Sequence, residues 1–353
     1  MKKVLYIAHL QSHIRNFHLA YLKHLQDRGF YVAVATWVDN PEELAFLDEV
    51  IDFPFVRSPF TLKTLDNYRD LKKLFIKGNY DIIHCHTPVA GITTRLAAHA
   101  AKVKAKVYYT AHGFHFFTGA PLINWLVYYP AEWLCAKYTD VLFTMNHEDY
   151  QRAKTKFKHP KVVYIHGAGI DTSKYNVAKN TSTRLELVTV GEMIKRKNQL
   201  VLIQTVEQIK DIDCHLTIAG DGELRPKLEK YINDHQLNDK VSLIGHVKPV
   251  TKAFENKDMF LFSSLHEGLP VAVMEAMACG LPCIVSNVRG NNDLIDAKGG
   301  MLINNTVHDF VSSIKTLYND KQSWNLMGTY NQNKVQMYSN DIVFSELDKF
   351  YID

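Results

Sequence analysis

The sequence predicts an α/β protein of two domains, each built around a doubly wound parallel sheet. Short apolar runs alternate with longer amphipathic segments along the chain, which is the pattern of repeated strand–helix units. Because 353 residues exceed the usual size of one hydrophobic core, two domains of ordinary size are expected. A composition of 46% hydrophobic and 22% charged residues is that of a folded chain.

The apolar runs form two series. The first series predicts strands at 4–8, 32–35, 81–84, 107–110, 141–144 and 162–165, with helices such as 14–28 and 67–77 between them. The second series predicts strands at 185–190, 215–219, 241–244, 259–262 and 283–286. Gly167, Gly169 and the polar segment 176–184 separate the two series. The first domain is therefore predicted at 1–168 and the second at 169–335.

Charge, cysteines and hydropathy exclude several classes of protein. A net charge of +4 is only mildly basic and does not indicate a nucleic-acid binder. The five cysteines are odd in number and contain no Cys-x-x-Cys pair, which fits a reducing cytosol. The first apolar run is too short for a signal peptide, and no window approaches the roughly 20 apolar residues of a membrane span. These features predict a cytoplasmic protein that is not exported.

Two glutamates, Glu267 and Glu275, lie eight positions apart at a predicted loop-to-helix transition. One of them would stand at the mouth of the helix and the other about two turns further along, so that both reach one polar ligand. Taken alone, such a pair is more often two unrelated surface glutamates.

The loops that follow the strands of the second series carry further polar motifs. Lys195, Arg196 and Lys197 stand in a tight turn before a helix, and cations with helix-start amides suit a diphosphate. A solvated basic turn is the alternative. Gly220-Asp221-Gly222, Gly245-His246-Val247 and the segment 263–267 follow the next strands. Four such loops indicate one nucleotide pocket, but neither GxGxxG nor GxxxxGK[ST] is present, which argues against dinucleotide and P-loop sites.

Taken together, these motifs resemble the family-4 retaining glycosyltransferases, whose mark is a Glu-x7-Glu motif. The resemblance spans nearly the whole chain and includes Thr-Ala-His-Gly-Phe-His-Phe at 110–116 and Gly-Ala-Gly-Ile-Asp at 167–171. It is closest to the bacterial capsule and exopolysaccharide enzymes. It implies the GT-B fold, in which two Rossmann-like domains face each other across a cleft. It also implies that 336–353 forms a C-terminal helix that crosses back to the first domain.

The resemblance implies a role for individual residues. Glu275 is expected to bind the donor ribose, Glu267 to face the donor sugar, and Lys197 to neutralise the diphosphate. Further donor contacts are expected from Gly220, Asp221, Gly222, Val247, Gly268 and Leu269. His112 is expected to meet the transferred sugar or its acceptor, although a lone histidine is more often structural.

Two positions depart from the family pattern. Glu192 stands where many members have arginine, so Lys195 or Arg196 is expected to supply the second positive charge, with Glu192 turned outward. The first loop lacks the usual glycine pair. Ser12 is expected to cap the following helix, and Ser12 and His13 are the candidates for the acceptor-side loop. Which of them contacts the ligand is left open.

The implied reaction is hexosyl transfer with retention, from a UDP-sugar (hexose or N-acetylhexosamine) to a polyprenyl-diphosphate-linked saccharide. The resemblance implies no metal, and no Asp-x-Asp pair follows a predicted strand, where it could hold an ion against a diphosphate. The aromatic stretch 114–134, with cations on either side, is either a contact with the inner membrane face or buried core. A nucleotide-sugar 2-epimerase and a catalytically silent partner subunit are the alternatives, and the oligomeric state is left open.

Overall fold

The structure is a computed structural model that describes residues 1–56 and 61–352. The chain divides into two compact units. Unit 1 consists of Met1–Gly169 together with Asn340–Asp353, and unit 2 consists of Ile170–Ser339.

Unit 1 alternates strands with helices. Its strands are β1 (Lys3–Leu10), β2 (Tyr31–Trp37), β3 (Glu49–Asp52), β4 (Ile82–His86), β5 (Lys106–Ala111), β6 (Val141–Thr144) and β7 (Lys161–Tyr164). Its helices are α1 (Gln11–Phe17), α2 (Leu19–Asp27), α3 (Leu62–Gly78), α4 (Pro88–Ala101), α5 (Leu122–Cys135) and α6 (His147–Lys156).

Unit 2 repeats this pattern. Its strands are β8 (Leu185–Val190), β9 (Cys214–Ala219), β10 (Val241–Gly245), β11 (Met259–Phe262), β12 (Cys283–Ser286) and β13 (Gly300–Ile303). Its helices are α7 (Gln199–Gln208), α8 (Arg225–Asp234), α9 (Thr251–Phe254), α10 (Val271–Ala278), α11 (Asn291–Leu294), α12 (Val307–Asn319) and α13 (Lys321–Lys334). The last helix, α14 (Asn340–Tyr351), belongs to unit 1.

Each unit contains one parallel sheet, as far as the described residues extend. The strand order is β3-β2-β1-β4-β5-β6-β7 in unit 1 and β10-β9-β8-β11-β12-β13 in unit 2. The order reverses between β1 and β4 and again between β8 and β11. Ligands of doubly wound sheets bind beyond the carboxyl ends of the strands at such reversals. The predicted α/β class with two doubly wound domains is confirmed, and the reversals mark where to look for the sites.

Three local predictions differ from the structure. The edge strands β3 and β13 were not predicted, because their apolar runs are short: two residues in β3 and three in β13. The helix predicted at 14–28 is divided into α1 and α2 at His18, whose φ of −130° is not helical. The ring of His18 packs instead against that of His86, with 4.1 Å between the ring centroids.

Helix α14 is fixed to unit 1 by buried polar contacts as well as by packing. The hydroxyl of Tyr351, which is fully buried, contacts the Nδ1 atom of His84 and lies 2.9 Å from the hydroxyl of Tyr6. The hydroxyl of Tyr108 donates to the carbonyl of Phe350 at 2.6 Å. These contacts join the C-terminal helix to the central strands β1, β4 and β5.

Candidate functional site

The loops after β8 and β11, the two strands at the reversal of the unit 2 sheet, meet at Glu267. Its Oε1 atom accepts hydrogen bonds from Arg196 Nη1 at 2.5 Å and from Lys197 Nζ at 2.7 Å. Ser264 Oγ donates to the same oxygen at 2.7 Å. Glu267 is buried, so this is a compact group of two cations and one carboxylate at the carboxyl edge of the sheet. We call Arg196, Lys197, Ser264 and Glu267 the cation–carboxylate group.

The ionisation of this group follows from its geometry. Burial alone would raise the pKa of Glu267, but the charges of Lys197 and Arg196 and the hydrogen bonds from Lys197 and Ser264 outweigh it, so the pKa lies below its ordinary value. Burial lowers the pKa of Lys197, and the nearby Glu267 carboxylate opposes that effect. Two cations therefore share one anion, which leaves the group with an excess of positive charge.

Neighbouring loops hold this group in place. The Ser263 hydroxyl lies 3.0 Å from the carbonyl oxygens of both Lys197 and Asn198, which ties the loop after β11 to the basic turn. Arg289 Nε donates to the Glu267 carbonyl at 2.8 Å. A Cβ atom on Gly290 would lie 2.6 Å from the Gly268 carbonyl oxygen, so a glycine is needed for this close approach. The Arg289–Gly290 loop thus supports the backbone of Glu267, Gly268 and Leu269.

Glu275 lies on α10 about one turn after the helix begins at Val271, whereas Glu267 stands in the loop before the helix, so the two are not two helical turns apart as predicted. The Oε1 atom of Glu275 accepts a hydrogen bond from the Tyr175 hydroxyl at 3.0 Å. Burial raises the pKa of Glu275 to about 7, and the Tyr175 hydrogen bond opposes the shift. Of the two glutamates in the motif, one is therefore ionised well below neutral pH, whereas the other gains or loses its proton near pH 7.

The glycines of the Gly-Asp-Gly turn allow two loops to pack closely. A Cβ atom on Gly220 (φ +133°) would lie 2.1 Å from the Gly191 carbonyl oxygen, and one on Gly222 would lie 2.6 Å from the Met193 carbonyl oxygen. The Met193 amide also donates to the Asp221 carbonyl at 2.8 Å. Gly220 and Gly222 therefore have a packing role against the basic turn, and their predicted contact with the base and ribose stays a prediction.

The remaining predicted donor residues do not join the cation–carboxylate group. Lys195 and Glu192 are exposed, and the outward orientation expected of Glu192 agrees with its exposure. Val247 is half-buried and lies two residues after Gly245, whose carbonyl accepts from the Gly220 amide at 2.8 Å. Of the two cations considered for the second charge, Arg196 is the one that lies beside Lys197 at the carboxylate.

Four histidines lie together at the corresponding edge of the unit 1 sheet. His13 is on α1 after β1, His18 joins α1 to α2, His86 ends β4, and His112 follows β5. His112 Nε2 lies 3.1 Å from His13 Nε2 and 3.4 Å from His86 Nδ1. We call His13, His18, His86 and His112 the histidine cluster.

Burial sets the charge of these imidazoles. It lowers the pKa of His13 to about 4. It also lowers the pKa of His18, His86 and His112 well below the ordinary value, and neighbouring imidazoles add to the effect. The cluster is therefore neutral near pH 7.

The capping role expected of Ser12 is wrong. Helix α1 begins directly after β1, at Gln11, so Ser12 lies inside the helix and Leu10 is its N-cap. The buried Gln11 side chain fixes this start, since its Oε1 atom accepts from the Asp39 and Asn40 amides at 2.9 Å each. The structure brings His13 to His112 and does not bring Ser12 into the cluster.

The aromatic stretch 114–134 is divided between core and surface. Phe114 and Phe116 are buried, and Trp125, Tyr128 and Tyr129 pack against the core of unit 1. The other face of α5 exposes large apolar side chains at helical spacing, at Leu122, Ile123, Leu126, Trp133 and Leu134. The buried-core alternative therefore applies to one face of the helix, and contact with the membrane stays a prediction for the exposed face.

A buried ion pair fixes the position of α5. Arg95 Nη2 on α4 lies 2.8 Å from Glu132 Oε2 on α5, and both side chains are almost fully buried. The Tyr109 hydroxyl donates to Glu132 Oε1 at 3.1 Å.

Within residues 1–56 and 61–352, none of the helices combines the length and the apolar character that crossing a bilayer requires.

Several of these residues were not identified from the sequence. Ser264 stands in the predicted post-strand loop, so its position was a usable signal. Tyr175 lies 100 residues before Glu275, and no local pattern connects the two. His18 lies inside the helix predicted at 14–28, and no local pattern marks it. His86 lies two residues after the strand predicted at 81–84, and the His-x-His spacing at 84–86 was its only local sign.

Comparisons with known proteins identify the family. Residues 172–334 match the family described as glycosyl transferases group 1, and residues 3–145 match glycosyl transferase 4-like proteins. The putative glycosyltransferase EpsD of Bacillus subtilis is 35% identical, with 99% of this chain and 96% of that protein covered. An Escherichia coli protein, UDP-Gal:alpha-D-GlcNAc-diphosphoundecaprenol alpha-1,3-galactosyltransferase, is 31% identical, with 82% of this chain and 80% of that protein covered.

Solved structures show the same fold. The Anabaena protein Alr3699/HepE, crystallised in complex with UDP and glucose, has a TM-score of 0.81 at 16% identity, with both chains covered completely. The lipopolysaccharide outer core galactosyltransferase WaaB has a TM-score of 0.77 at 16% identity, with 99% of each chain covered. The predicted GT-B fold and the predicted resemblance are both confirmed. The chain belongs to the group 1, or 4-like, glycosyltransferases and is itself a glycosyltransferase.

Proposed function

We propose that this glycosyltransferase moves a hexose or N-acetylhexosamine, with retention, from a UDP-sugar to a polyprenyl-diphosphate-linked saccharide during extracellular polysaccharide synthesis. The observation that carries the proposal is the cation–carboxylate group at the strand reversal of unit 2. It places Lys197 and Arg196 where a doubly wound sheet binds its ligand.

The excess positive charge of the group suits the donor diphosphate. Lys197 and Arg196 both donate hydrogen bonds to Glu267. An entering diphosphate competes with Glu267 for these two cations and leaves its carboxylate to face the donor sugar. The leaving diphosphate gains negative charge as the glycosidic bond breaks, and fixed cations stabilise that charge. Because the two side chains supply this charge, the donor site is proposed to work without a metal ion.

UDP is the proposed nucleotide because of two comparisons. The Escherichia coli relative is named for UDP-Gal, and the Anabaena protein of the same fold was crystallised with UDP and glucose. Glu275 is proposed to accept hydrogen bonds from the ribose hydroxyls, as the resemblance implies for the second glutamate of the motif. The donor contacts of Gly220, Asp221, Gly222, Val247, Gly268 and Leu269 are proposed on the resemblance alone.

The proposed acceptor is a saccharide on a polyprenyl diphosphate. The name of the Escherichia coli relative specifies a diphosphoundecaprenol acceptor. A Salmonella typhimurium relative, 25% identical over 63% of this chain, is named as a putative colanic acid biosynthesis glycosyltransferase, which supports a role in polysaccharide synthesis. Within unit 1, His112 and His13 are the residues predicted from the sequence for the sugar or acceptor, and that role stays a proposal.

Peripheral binding to the inner membrane face is proposed for the exposed face of α5. Leu122, Ile123 and Leu126 are 61–81% exposed at one end of the helix. Lys137 lies just beyond the other end, with its Nζ atom 4.7 Å from the centroid of the Trp133 ring, and it borders one groove together with Lys102. Exposed apolar side chains beside lysines suit a bilayer that contains anionic lipids. All five cysteines are buried as free thiols in the described part of the chain, which supports a cytoplasmic location.

Calorimetric titration with UDP, GDP and ADP, without added metal, tests the donor site. Wild-type protein is expected to bind UDP selectively, and Lys197→Ala is expected to weaken binding by about 10- to 100-fold, since a charge-assisted hydrogen bond is lost. Lys195→Ala is the matched control because Lys195 is an exposed cation of the same turn. Preferred binding of GDP or ADP, or an equal loss in both variants, would overturn the donor assignment.

Flotation with lipid vesicles tests the membrane surface. Wild-type protein is expected to float with vesicles that contain anionic phospholipid, and Leu126→Ser is expected to reduce the bound fraction. Leu326→Ser is the control, because Leu326 in unit 2 has the same 74% exposure as Leu126. If both variants float like the wild type, α5 is not the membrane contact.

A further inference from the structure

We infer that the histidine cluster of unit 1 is a binding site for one divalent transition-metal ion of the Zn²⁺ type. The site goes beyond the proposed function, since it lies wholly in unit 1 and does not depend on the identity of the sugar donor. Its four side chains are His13, His18, His86 and His112, and each of them offers one ring nitrogen to a common centre, with all four nitrogens within 4.8 Å of one another.

The distances suit a tetrahedral ion. Nitrogen ligands about 2.0–2.1 Å from Zn²⁺ lie about 3.4 Å from one another in a tetrahedron. His112 Nε2 is 3.1 Å from His13 Nε2 and 3.4 Å from His86 Nδ1. Because all four nitrogens lie within 4.8 Å of one another, no pair needs to close by more than about 1.4 Å. Side-chain movements of that size are sufficient to complete the set.

The hydrogen bonding within the cluster is incomplete without an ion. His112 Nε2 faces two other ring nitrogens, although it has either one proton or one lone pair to offer. The Nε2 atom of His18 is buried and has no hydrogen-bond partner, and this residue is 6% exposed. A buried polar atom without a partner costs free energy, which a bound ligand can recover.

A neighbouring histidine shows what a purely structural position looks like in the same strand. His84, two residues before His86 on β4, is also buried. Its Nε2 lies 2.7 Å from Thr110 Oγ1, and its Nδ1 contacts the Tyr351 hydroxyl. Both ring nitrogens of His84 are thus satisfied by the protein, whereas His18 retains an unsatisfied one.

The type of ligand selects the type of ion. Imidazole nitrogen suits zinc, copper, nickel and cobalt, whereas magnesium and calcium prefer oxygen ligands. Four protein ligands close the coordination sphere, which is typical of structural zinc sites rather than catalytic ones. The ion would join α1, the turn before α2, β4 and the loop after β5. The role of metal ligand and the role proposed for His13 and His112 at the sugar or acceptor exclude each other, so the metal titration also decides between them.

Metal titration of the full-length chain, freed of any histidine tag and of bound metal, tests this site. Titration with ZnCl₂ is expected to show one saturable site per chain, and MgCl₂ none. His13→Gln and His86→Gln are each expected to weaken Zn²⁺ binding by at least about tenfold. His159→Gln, at an exposed position on the surface, is expected to bind like the wild type.

Co²⁺ provides a second readout that does not depend on stoichiometry. A tetrahedral Co²⁺ site has a strong visible absorption, which is expected in the wild type and expected to be lost in His13→Gln. His13 is half-buried on a helix, so this variant keeps the test valid if His86→Gln fails to fold. Absence of saturable Zn²⁺ binding in the wild type, or binding that neither variant weakens, would overturn the inference and attribute any signal to surface histidines.

Discussion

The raised pKa of Glu275 makes donor binding depend on pH. In the ligand-free protein, burial raises this pKa to about 7, so the carboxyl group is mostly protonated at pH 6 and mostly ionised at pH 8. Ribose hydroxyls donate hydrogen bonds, and an ionised carboxylate accepts two of them, whereas a protonated carboxyl is a poorer acceptor. Donor affinity is therefore expected to rise as the pH rises from 6 to 8.

The size of the effect follows from the ionised fraction. With a pKa of about 7, the fraction is about 0.09 at pH 6 and about 0.91 at pH 8. If only the ionised form binds, the apparent Kd falls about tenfold between these pH values, which corresponds to about 1.4 kcal/mol. Most of the change is expected within one pH unit of 7.

Calorimetry with UDP-glucose across pH 6 to 8 measures this change. UDP-glucose is preferred to UDP because its diphosphate carries a substituent at both ends and has no ionisation near neutral pH. Glu275→Gln is the control, since an amide removes the titration and keeps the size of the side chain. A Kd that stays constant in the wild type, or one that changes equally in Glu275→Gln, would refute the role of Glu275 at the ribose.

Two further predictions concern stability. Glu132→Ala leaves the buried Arg95 without its partner and is expected to lower the free energy of unfolding by about 3–5 kcal/mol in urea denaturation. The double variant Arg95→Met with Glu132→Leu removes both charges and is expected to lose much less. An unchanged urea midpoint for Glu132→Ala would contradict this prediction. Gly220→Ala would bring a Cβ atom to 2.1 Å from the Gly191 carbonyl oxygen and is expected to lower the melting temperature. Gly119→Ala is the control, because the φ of Gly119 (+89°) is also positive but its Cβ atom would meet open space, and the loss is expected to be smaller. Equal melting temperatures would show that the two loops do not need this close approach.

The sequence predicted the interior strands well because they are buried on both faces. β8, β11 and β12 begin and end where the apolar runs do. A strand buried on both faces requires a continuous apolar run, and such a run is visible without any tertiary information. The edge strands β3 and β13 have apolar runs of only two and three residues, which are weaker signs than those of the interior strands.

Residues of the candidate site were predictable where they follow a strand. Lys197 and Glu267 come after β8 and β11, and the carboxyl ends of adjacent parallel strands meet at one edge of a sheet. Tyr175 could not be predicted, because its contact with Glu275 depends on how the chain returns after unit 1. The error at Ser12 has a local cause, since β1 passes into α1 without the loop that a cap requires.

The most direct test of the account is transfer of labelled sugar to lipid. Purified protein would be incubated with radiolabelled UDP-glucose, UDP-galactose or their N-acetylated counterparts and with a polyprenyl-diphosphate-linked N-acetylglucosamine, and the label that enters the organic phase would be counted. The account predicts that label from one UDP-sugar enters the lipid with the wild type and Lys195→Ala. It predicts at least about 100-fold less with Glu267→Gln. Transfer from a GDP-sugar but from no UDP-sugar, or full activity of Glu267→Gln, would contradict it.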